Sequence, residues 1–259
     1  MEGGTGGRGS RTTDENASTG RVSQAADGAH STDLPPAGVR AAVEERARRS
    51  LGGSEDAIHA LVAGAARARH AGGGTLVDVG CGTGALWGRL AERFDRYVGV
   101  DAARYDGFPA DGELVLADLD APELPLPAGA ADVVAAVETI EHLENPRAFV
   151  RSLARLARPG GWIIVTTPNQ LSLLSKATLL LKNRFNAFQD ASYPAHLTAL
   201  LEVDLRRIAA ECGLTEIAIE YTGSGRVPGT GRHHPAALAR RFPRALSDNV
   251  LLAARKPHA

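Results

Sequence analysis

The sequence predicts an α/β domain in which a mostly parallel sheet is covered by helices on both faces. Three observations carry that expectation. Short apolar runs of strand type alternate with segments of helical periodicity from about residue 75 onward. The first run closes in a glycine-rich turn, Asp78-Val-Gly80-Cys81-Gly82-Thr83-Gly84. The next three runs each end at an acid, Asp101, Asp118 and Glu138. Such alternation is the signature of crossover units, which place parallel strands side by side with helices packed outside them.

The elements follow in order. A chain of 259 residues suits one sizeable α/β domain with appendages. Residues 1–36 are Gly, Ser, Thr, Asp and Arg with almost no large apolar side chain. They bury too little surface to offset their ordering entropy and are expected to be a disordered tail. Residues 37–71 are expected to hold two helices, 39–49 and 54–70. Ser54 is the candidate N-cap of the second, and Ile58, Leu61 and Val62 form its apolar stripe.

The main domain is placed at 72–259. Its expected strands are 75–79, 96–100, 113–117, 132–137, 162–166, 215–221 and 248–253. A helix is expected over 85–94, where Leu86, Trp87, Leu90 and Phe94 recur at helical spacing. Asn145 caps another, with Pro146 in its first turn and Phe149, Val150, Leu153 and Leu156 facing inward. Arg158-Pro159-Gly160-Gly161 stops it. Leu201, Leu205, Ile208 and Cys212 mark a further helix. Two segments interrupt the scheme. Residues 168–197 form an insertion and candidate substrate lid, and 222–247 form a loop rich in Gly, Pro, Arg and His.

Composition narrows the function. Net charge is −1, without the basic excess of a protein that grips phosphate backbones, so nucleic-acid binding is disfavoured. Cys81 and Cys212 have no metal-ligand spacing and make no disulfide framework, which fits a reducing cytoplasm. No apolar run reaches membrane-spanning length, and the N-terminus lacks the basic-then-apolar pattern of a signal peptide. A cytoplasmic protein without a membrane partner is expected.

The glycine turn sits where open α/β sheets bind ligands, beyond the carboxyl ends of the strands. Asp101 is placed to accept hydrogen bonds from two ribose hydroxyls, and Asp118 to bind an adenine amine. Gly80, Gly82 and Ala85 also satisfy a loose dinucleotide fingerprint, so a nicotinamide-dependent oxidoreductase stays open. Asp78 tips the balance. An acid two residues before the first glycine repels a pyrophosphate but suits the ammonium of a methionine moiety. Asp118 adds an adenosine contact from a further strand, and no substrate domain of dehydrogenase size follows.

With these residues in view, LVDVGCGTG, VGVDAARY, LADLDAPELPLPAGAADVVAAVETIEHLENP and RPGGWIIVTTPN resemble the successive motifs of class I S-adenosylmethionine-dependent methyltransferases. The resemblance implies a Rossmann-like three-layer sandwich with seven strands, the last antiparallel. It implies S-adenosyl-L-methionine as cofactor, bound across Asp78, Gly80, Cys81, Gly82, Thr83, Gly84, Asp101, Asp118, Leu119 and Glu138. In such enzymes the acid before the glycines acts on the methionine end, and the residue after the fourth strand contributes its carbonyl.

Glu138-x-x-Glu141-His142 follows the fourth strand. On a helical turn, positions three and four apart share a face, so these groups can converge on a cation such as Mg²⁺. A cation there lowers the pKa of a coordinated substrate hydroxyl. The segment resembles the ubiquinone-pathway O-methyltransferases, which share E-x-x-E-H. It also resembles the small-RNA 2′-O-methyltransferases, which add a downstream histidine as a fourth ligand. His196 is the candidate here, although its surroundings, YPAHLTAL, differ from that family's aromatic-rich pattern. The expected metal set is therefore Glu138, Glu141, His142 and His196. A metal-free enzyme would use His142 or His196 as general base. On a plainer reading Glu138 touches only the cofactor, Glu141 is a solvated first-turn acid and His142 is structural.

Cys81 reads as a small residue beside the cofactor and Cys212 as core. Phe185, Phe188 and Tyr193 either roof a substrate pocket or pack the insertion onto the domain. Arg232, His233, His234, Arg240, Arg241 and Arg244 either bind an anionic substrate or, as is commoner, form a solvated loop and surface helix. The expected activity is O-methylation of a small-molecule acceptor held beneath 168–197. The alternatives are an RNA 2′-O-methyltransferase, an oxidoreductase, and a non-catalytic protein that keeps the pocket.

Overall fold

A computed structural model describes Met1, Gly3 and residues 53–258. The expected helix at 39–49 and, apart from Met1 and Gly3, the expected tail at 1–36 lie outside the described residues. Contacts divide the chain into two units, Met1–Pro35 and Pro36–Ala259, and the elements below all belong to the second.

The chain runs α1 (Asp56–Arg69), β1 (Thr75–Val79), α2 (Trp87–Leu90), β2 (Arg96–Asp101), β3 (Glu113–Leu116) and β4 (Ala131–Ala136). It continues through a 3₁₀ turn (Ile140–His142), α3 (Pro146–Leu156), β5 (Ala157–Pro168) and α4 (Leu173–Lys182). After a second 3₁₀ turn (Asp190–Ser192) come α5 (Glu202–Glu211), β6 (Thr215–Tyr221), α6 (Ala236–Arg241), α7 (Pro243–Leu246) and β7 (Asn249–Arg255). The seven strands form one sheet in the order β3-β2-β1-β4-β5-β7-β6. β1 to β5 pair in parallel, and β7 is antiparallel to both β5 and β6. The expected seven-stranded sandwich with an antiparallel last strand is the fold observed.

Alternation along each strand explains the layers, because successive side chains point to opposite faces. Val77, Val79, Val134, Ala136, Ile163 and Val165 join Phe149, Leu153, Leu205 and Ile208 in one core. Leu76, Val133, Ala135 and Ile164 join Ile58, Val62, Trp87 and Leu90 in the other. Central strands buried on both faces read as continuous apolar runs, which is why β1, β4 and β5 stand out in the sequence. The edge strands β3 and β6 are only partly covered.

Asn145 caps α3, its Oδ1 accepting from Ala148 N at 3.0 Å, with Pro146 at the first helical position. Asn145→Ala is expected to lower stability by about 1 kcal/mol, the usual value of an N-cap. Urea unfolding followed by circular dichroism checks it.

Several boundaries differ from expectation. α1 starts at Asp56, and Glu55, not Ser54, occupies its N-cap position, with no side-chain capping bond. Residues 85–94 form only the short helix α2 with turns on either side. Trp87 N, Arg89 N and Arg93 N donate to carbonyls three residues back, a tightening that keeps a long α-helix from developing. β5 begins at Ala157, so Arg158-Pro159-Gly160-Gly161 is absorbed into the strand. Ala131 pairs with Ala157, and a register shift before Val133 takes up the irregular residues. The insertion 168–197 contains α4, whose cap Ser172 accepts from Ser175 N at 3.0 Å. Its consecutive leucines at 179–181 hid the helical period. The loop 222–247 carries α6 and α7. Among the described residues no helix is long and apolar enough to cross a membrane.

Candidate active site

Parallel strands deliver their carboxyl ends to one edge of the sheet, and the antiparallel β7 brings its N-terminal Asn249 there, opposite Pro168 of β5. A cavity of about 840 Å³ opens along this edge. At one end its wall includes Asp78, Gly80, Cys81, Gly82, Asp101, Asp118 and Leu119. Glu138, Glu141, His142 and His196 line the same cavity. Thr83 and Gly84 belong to the glycine turn but not to the wall.

The turn is held by β2. Gly80 N donates to Val100 O at 2.7 Å, and Gly82 N donates to Asp101 Oδ2 at 2.8 Å. Ala103 N donates to Asp101 Oδ1 at 3.1 Å. Gly80 has φ 78°, and a Cβ there would collide with the Thr139 side chain, so only glycine fits. Asp78 is 2 % exposed. Its Oδ2 accepts from Tyr97 Oη at 3.0 Å, while Oδ1 has no protein partner. Burial raises its pKa to about 7, the nearby Asp101 adds to the rise, and the Tyr97 hydrogen bond opposes it. Burial also raises Asp101, and its backbone amide donors hold it down. The buried Cys81 thiol is pushed upward, which rules it out as a ready nucleophile.

The segment after β4 departs from the single helical face expected of it. Glu138 has φ 49° and precedes the 3₁₀ turn, so it does not share a helix with Glu141 and His142. Its backbone N donates to Thr166 Oγ1 at 2.9 Å, and its Oε2 accepts from Asn249 Nδ2 at 2.7 Å. Burial pushes its pKa up to about 8. Glu141 is fully buried rather than solvated, and neither carboxylate oxygen has a hydrogen-bond partner. Burial raises its pKa well above the usual carboxylate range and the neighbouring Glu138 charge raises it further, while its own backbone amide and the Thr167 hydroxyl, outside good hydrogen-bond geometry, only partly oppose the rise.

His196 reaches this turn because the insertion folds back over it. Leu197 N and Thr198 N donate to Glu141 O at 2.8 and 3.0 Å. His142 Nδ1 lies 2.7 Å from Ala195 O, and His196 Nδ1 lies 2.6 Å from Ala187 O. A carbonyl only accepts, so both Nδ1 atoms carry hydrogen, and in the neutral rings Nε2 is the acceptor nitrogen. The two rings pack edge to face at 4.7 Å. Burial lowers the His196 pKa, favouring its neutral form. Glu141, His142 and His196 offer ligand atoms all within 4.8 Å of one another. Glu138, expected as a fourth ligand, is not part of this cluster.

Tyr193 lines the cavity, whereas Phe188 packs on His196 at 5.4 Å. Arg232, His233, His234, Arg240, Arg241 and Arg244 are not on the wall. Cys212 is half-buried and packs against the core. Residues missed from sequence are Glu55 and His59 from the start of α1, Tyr97, Gln170, Arg226, Asp248 and Asn249. No local motif marks them, because the topology assembles them.

The model of a family described as a methyltransferase domain matches residues 46–219. The ubiquinone biosynthesis O-methyltransferase of Burkholderia pseudomallei is 29% identical over 211 residues, covering 72% of this chain and 80% of that protein. The protein of that name from Chromobacterium violaceum is 35% identical over 115 residues, covering 39% of this chain and 48%, about half, of its own length. The crystal structure of a SAM-dependent methyltransferase from Archaeoglobus fulgidus shares the fold at 19% identity, TM-score 0.55, covering 82% of this chain and 97% of that one. The chain belongs to the methyltransferase-domain family.

Proposed function

We propose that the protein O-methylates a small-molecule acceptor, with a divalent cation held by Glu141, His142 and His196. The observation that carries this reading is one continuous cavity lined by Asp78, Asp101 and Asp118 at one end and by the Glu141 cluster at the other. The unpartnered Asp78 Oδ1 suits the ammonium of S-adenosylmethionine. Asp101, which keeps a second lone pair on each oxygen, would take the ribose hydroxyls, and Asp118 the adenine amine. Gly80, Cys81, Gly82, Leu119 and Glu138 line the cavity and would border the donor, with Thr83 and Gly84 completing the turn.

The bound donor supplies a methyl carbon already activated by its sulfonium. The chain's task is then alignment of the acceptor oxygen with that carbon and disposal of the acceptor's proton. Two imidazoles and a carboxylate make a good ligand set for a divalent ion. Such a set suits a borderline ion such as Zn²⁺ better than the hard Mg²⁺. Backbone carbonyls fixing both rings through Nδ1 are the usual support for histidine ligands. The ion would lower the pKa of an acceptor hydroxyl. Without it, neutral His196 or His142 would act as general base.

Both relatives named above carry O-methyltransferase names, which supports oxygen as the nucleophile. Among the described residues Arg226 is the one lysine or arginine on the wall, and its Nε already donates to Asp248 Oδ2 at 2.8 Å. That wall offers little to an RNA backbone. An anionic dinucleotide pyrophosphate would meet the buried Asp78.

The test is transfer of a labelled methyl from S-adenosylmethionine to a panel of hydroxylated small molecules, with and without chelator. Turnover on such an acceptor, lost on chelation and restored by Zn²⁺, is expected. Chelator-resistant turnover would remove the metal and leave the histidine base. Turnover on RNA alone would contradict the acceptor class, and no turnover on any acceptor would favour a non-catalytic binding protein.

A further inference from the structure

We propose that Tyr97 is a positioning residue for the methyl donor, holding Asp78 so that Oδ1 faces the donor's ammonium group. This rests on the reading of Asp78 given above. The geometry is specific. Tyr97 stands on β2 with its Cα paired to Leu76, two residues before Asp78 on β1. Its hydroxyl donates to Asp78 Oδ2 at 3.0 Å. The ring is 1 % exposed and is stacked between Trp87 at 5.0 Å and Phe108 at 5.7 Å. Trp87 is itself fixed, its Nε1 donating to Asp111 Oδ2 at 3.0 Å. The hydroxyl is therefore set by packing, and the carboxylate is set by the hydroxyl.

That hydrogen bond does two things. It occupies Oδ2, leaving Oδ1 as a buried acceptor without a protein partner on a residue that lines the cavity. It also favours the ionised carboxylate against the cost of burial. The ionisable groups facing Asp78 are Tyr97 and Asp101 of β2 and Cys81 of the turn. On its other side β4 presents Ala135, which carries no charge. Burial and the Asp78 charge push the Tyr97 phenol upward, so it stays a donor throughout the working range. Among these groups Tyr97 alone lowers the Asp78 pKa, whereas Asp101 raises it.

An ammonium binds the ionised acid. Donor affinity should thus be full above the Asp78 midpoint and fall as pH drops through it. Removing the hydroxyl raises the midpoint, so the loss begins at higher pH. Loss of one hydrogen bond to the ionised carboxylate is expected to shift the midpoint upward by about one unit.

The experiment is calorimetric titration of wild type and Tyr97→Phe with S-adenosylhomocysteine from pH 6 to 8.5. Phenylalanine keeps the ring and its stack. With the wild-type midpoint at about 7, Tyr97→Phe should bind about fivefold more weakly at pH 7 and within about twofold of wild type at pH 8.5. Methylthioadenosine, which has the adenosine and sulfur but no ammonium, should bind both proteins equally at every pH. A pH-independent loss, an equal loss for methylthioadenosine, or an unmoved profile would overturn the proposal. Asp78→Asn separates this from the underlying reading. If that variant kept wild-type affinity and pH dependence, Asp78 would not be the ammonium's partner, and both would fall.

Discussion

Replacing Asp101 with asparagine is expected to weaken S-adenosylhomocysteine binding about 100-fold, roughly 2.7 kcal/mol. The carboxylate has two duties. It ties the glycine turn to β2 through Gly82 N at 2.8 Å and caps its own turn through Ala103 N at 3.1 Å. An asparagine amide accepts only one of these donors and points its own NH₂ at the other. Loss of the turn's shape and loss of a charged acceptor for the ribose hydroxyls then act together. The fold should survive, because Asp101 lies at the end of its strand and the cores on both faces do not depend on it. Calorimetry gives the affinity, and unfolding without ligand controls for stability. An affinity within threefold of wild type would place the ribose elsewhere.

The second large effect concerns the acceptor end. Glu141→Gln is expected to lower kcat by 10²–10⁴, the range in which general acid–base and metal-ligand contributions fall. Affinity for S-adenosylhomocysteine should change less than threefold. The change is nearly isosteric and puts a neutral amide where a buried, unpartnered carboxylate stood, so the core has no reason to open. Its backbone carbonyl still receives Leu197 N and Thr198 N, so the insertion keeps its anchor. Single-turnover transfer of labelled methyl, with donor affinity measured in parallel, separates the two ends of the cavity. A kcat within threefold of wild type would mean that Glu141 neither binds a cation nor handles the acceptor's proton.

What was legible in the sequence follows from where the information lies. β1, β2, β4 and β5 are buried runs bounded by turns, and Asn145-Pro146 carries a local capping signal, so both could be read directly. The donor end is similarly local: Asp78, Gly80 and Gly82 sit in one turn, and Asp101 and Asp118 each follow a recognisable strand. The acceptor end is a product of topology. Asn249 reaches Glu138 because β7 inserts antiparallel between β5 and β6, and nothing near Asn249 in the chain announces it. Glu138 stands apart from the Glu141, His142 and His196 cluster for a related reason. The spacing to Glu141 fits a helical face, but the left-handed backbone at Glu138 turns it toward Asn249 instead. His196 was legible as a residue type only. Its place beside His142 depends on how 185–198 folds onto the 3₁₀ turn, through hydrogen bonds to Glu141 O and from His142.

The most direct test of the account is calorimetric titration of the wild-type protein with S-adenosylhomocysteine and, separately, with NAD. Binding of S-adenosylhomocysteine at one site per chain, weakened about 100-fold in Asp101→Asn, with no heat from NAD, is the predicted result. Binding of NAD without S-adenosylhomocysteine would contradict it, because the buried carboxylate of Asp78 would then face a pyrophosphate rather than an ammonium.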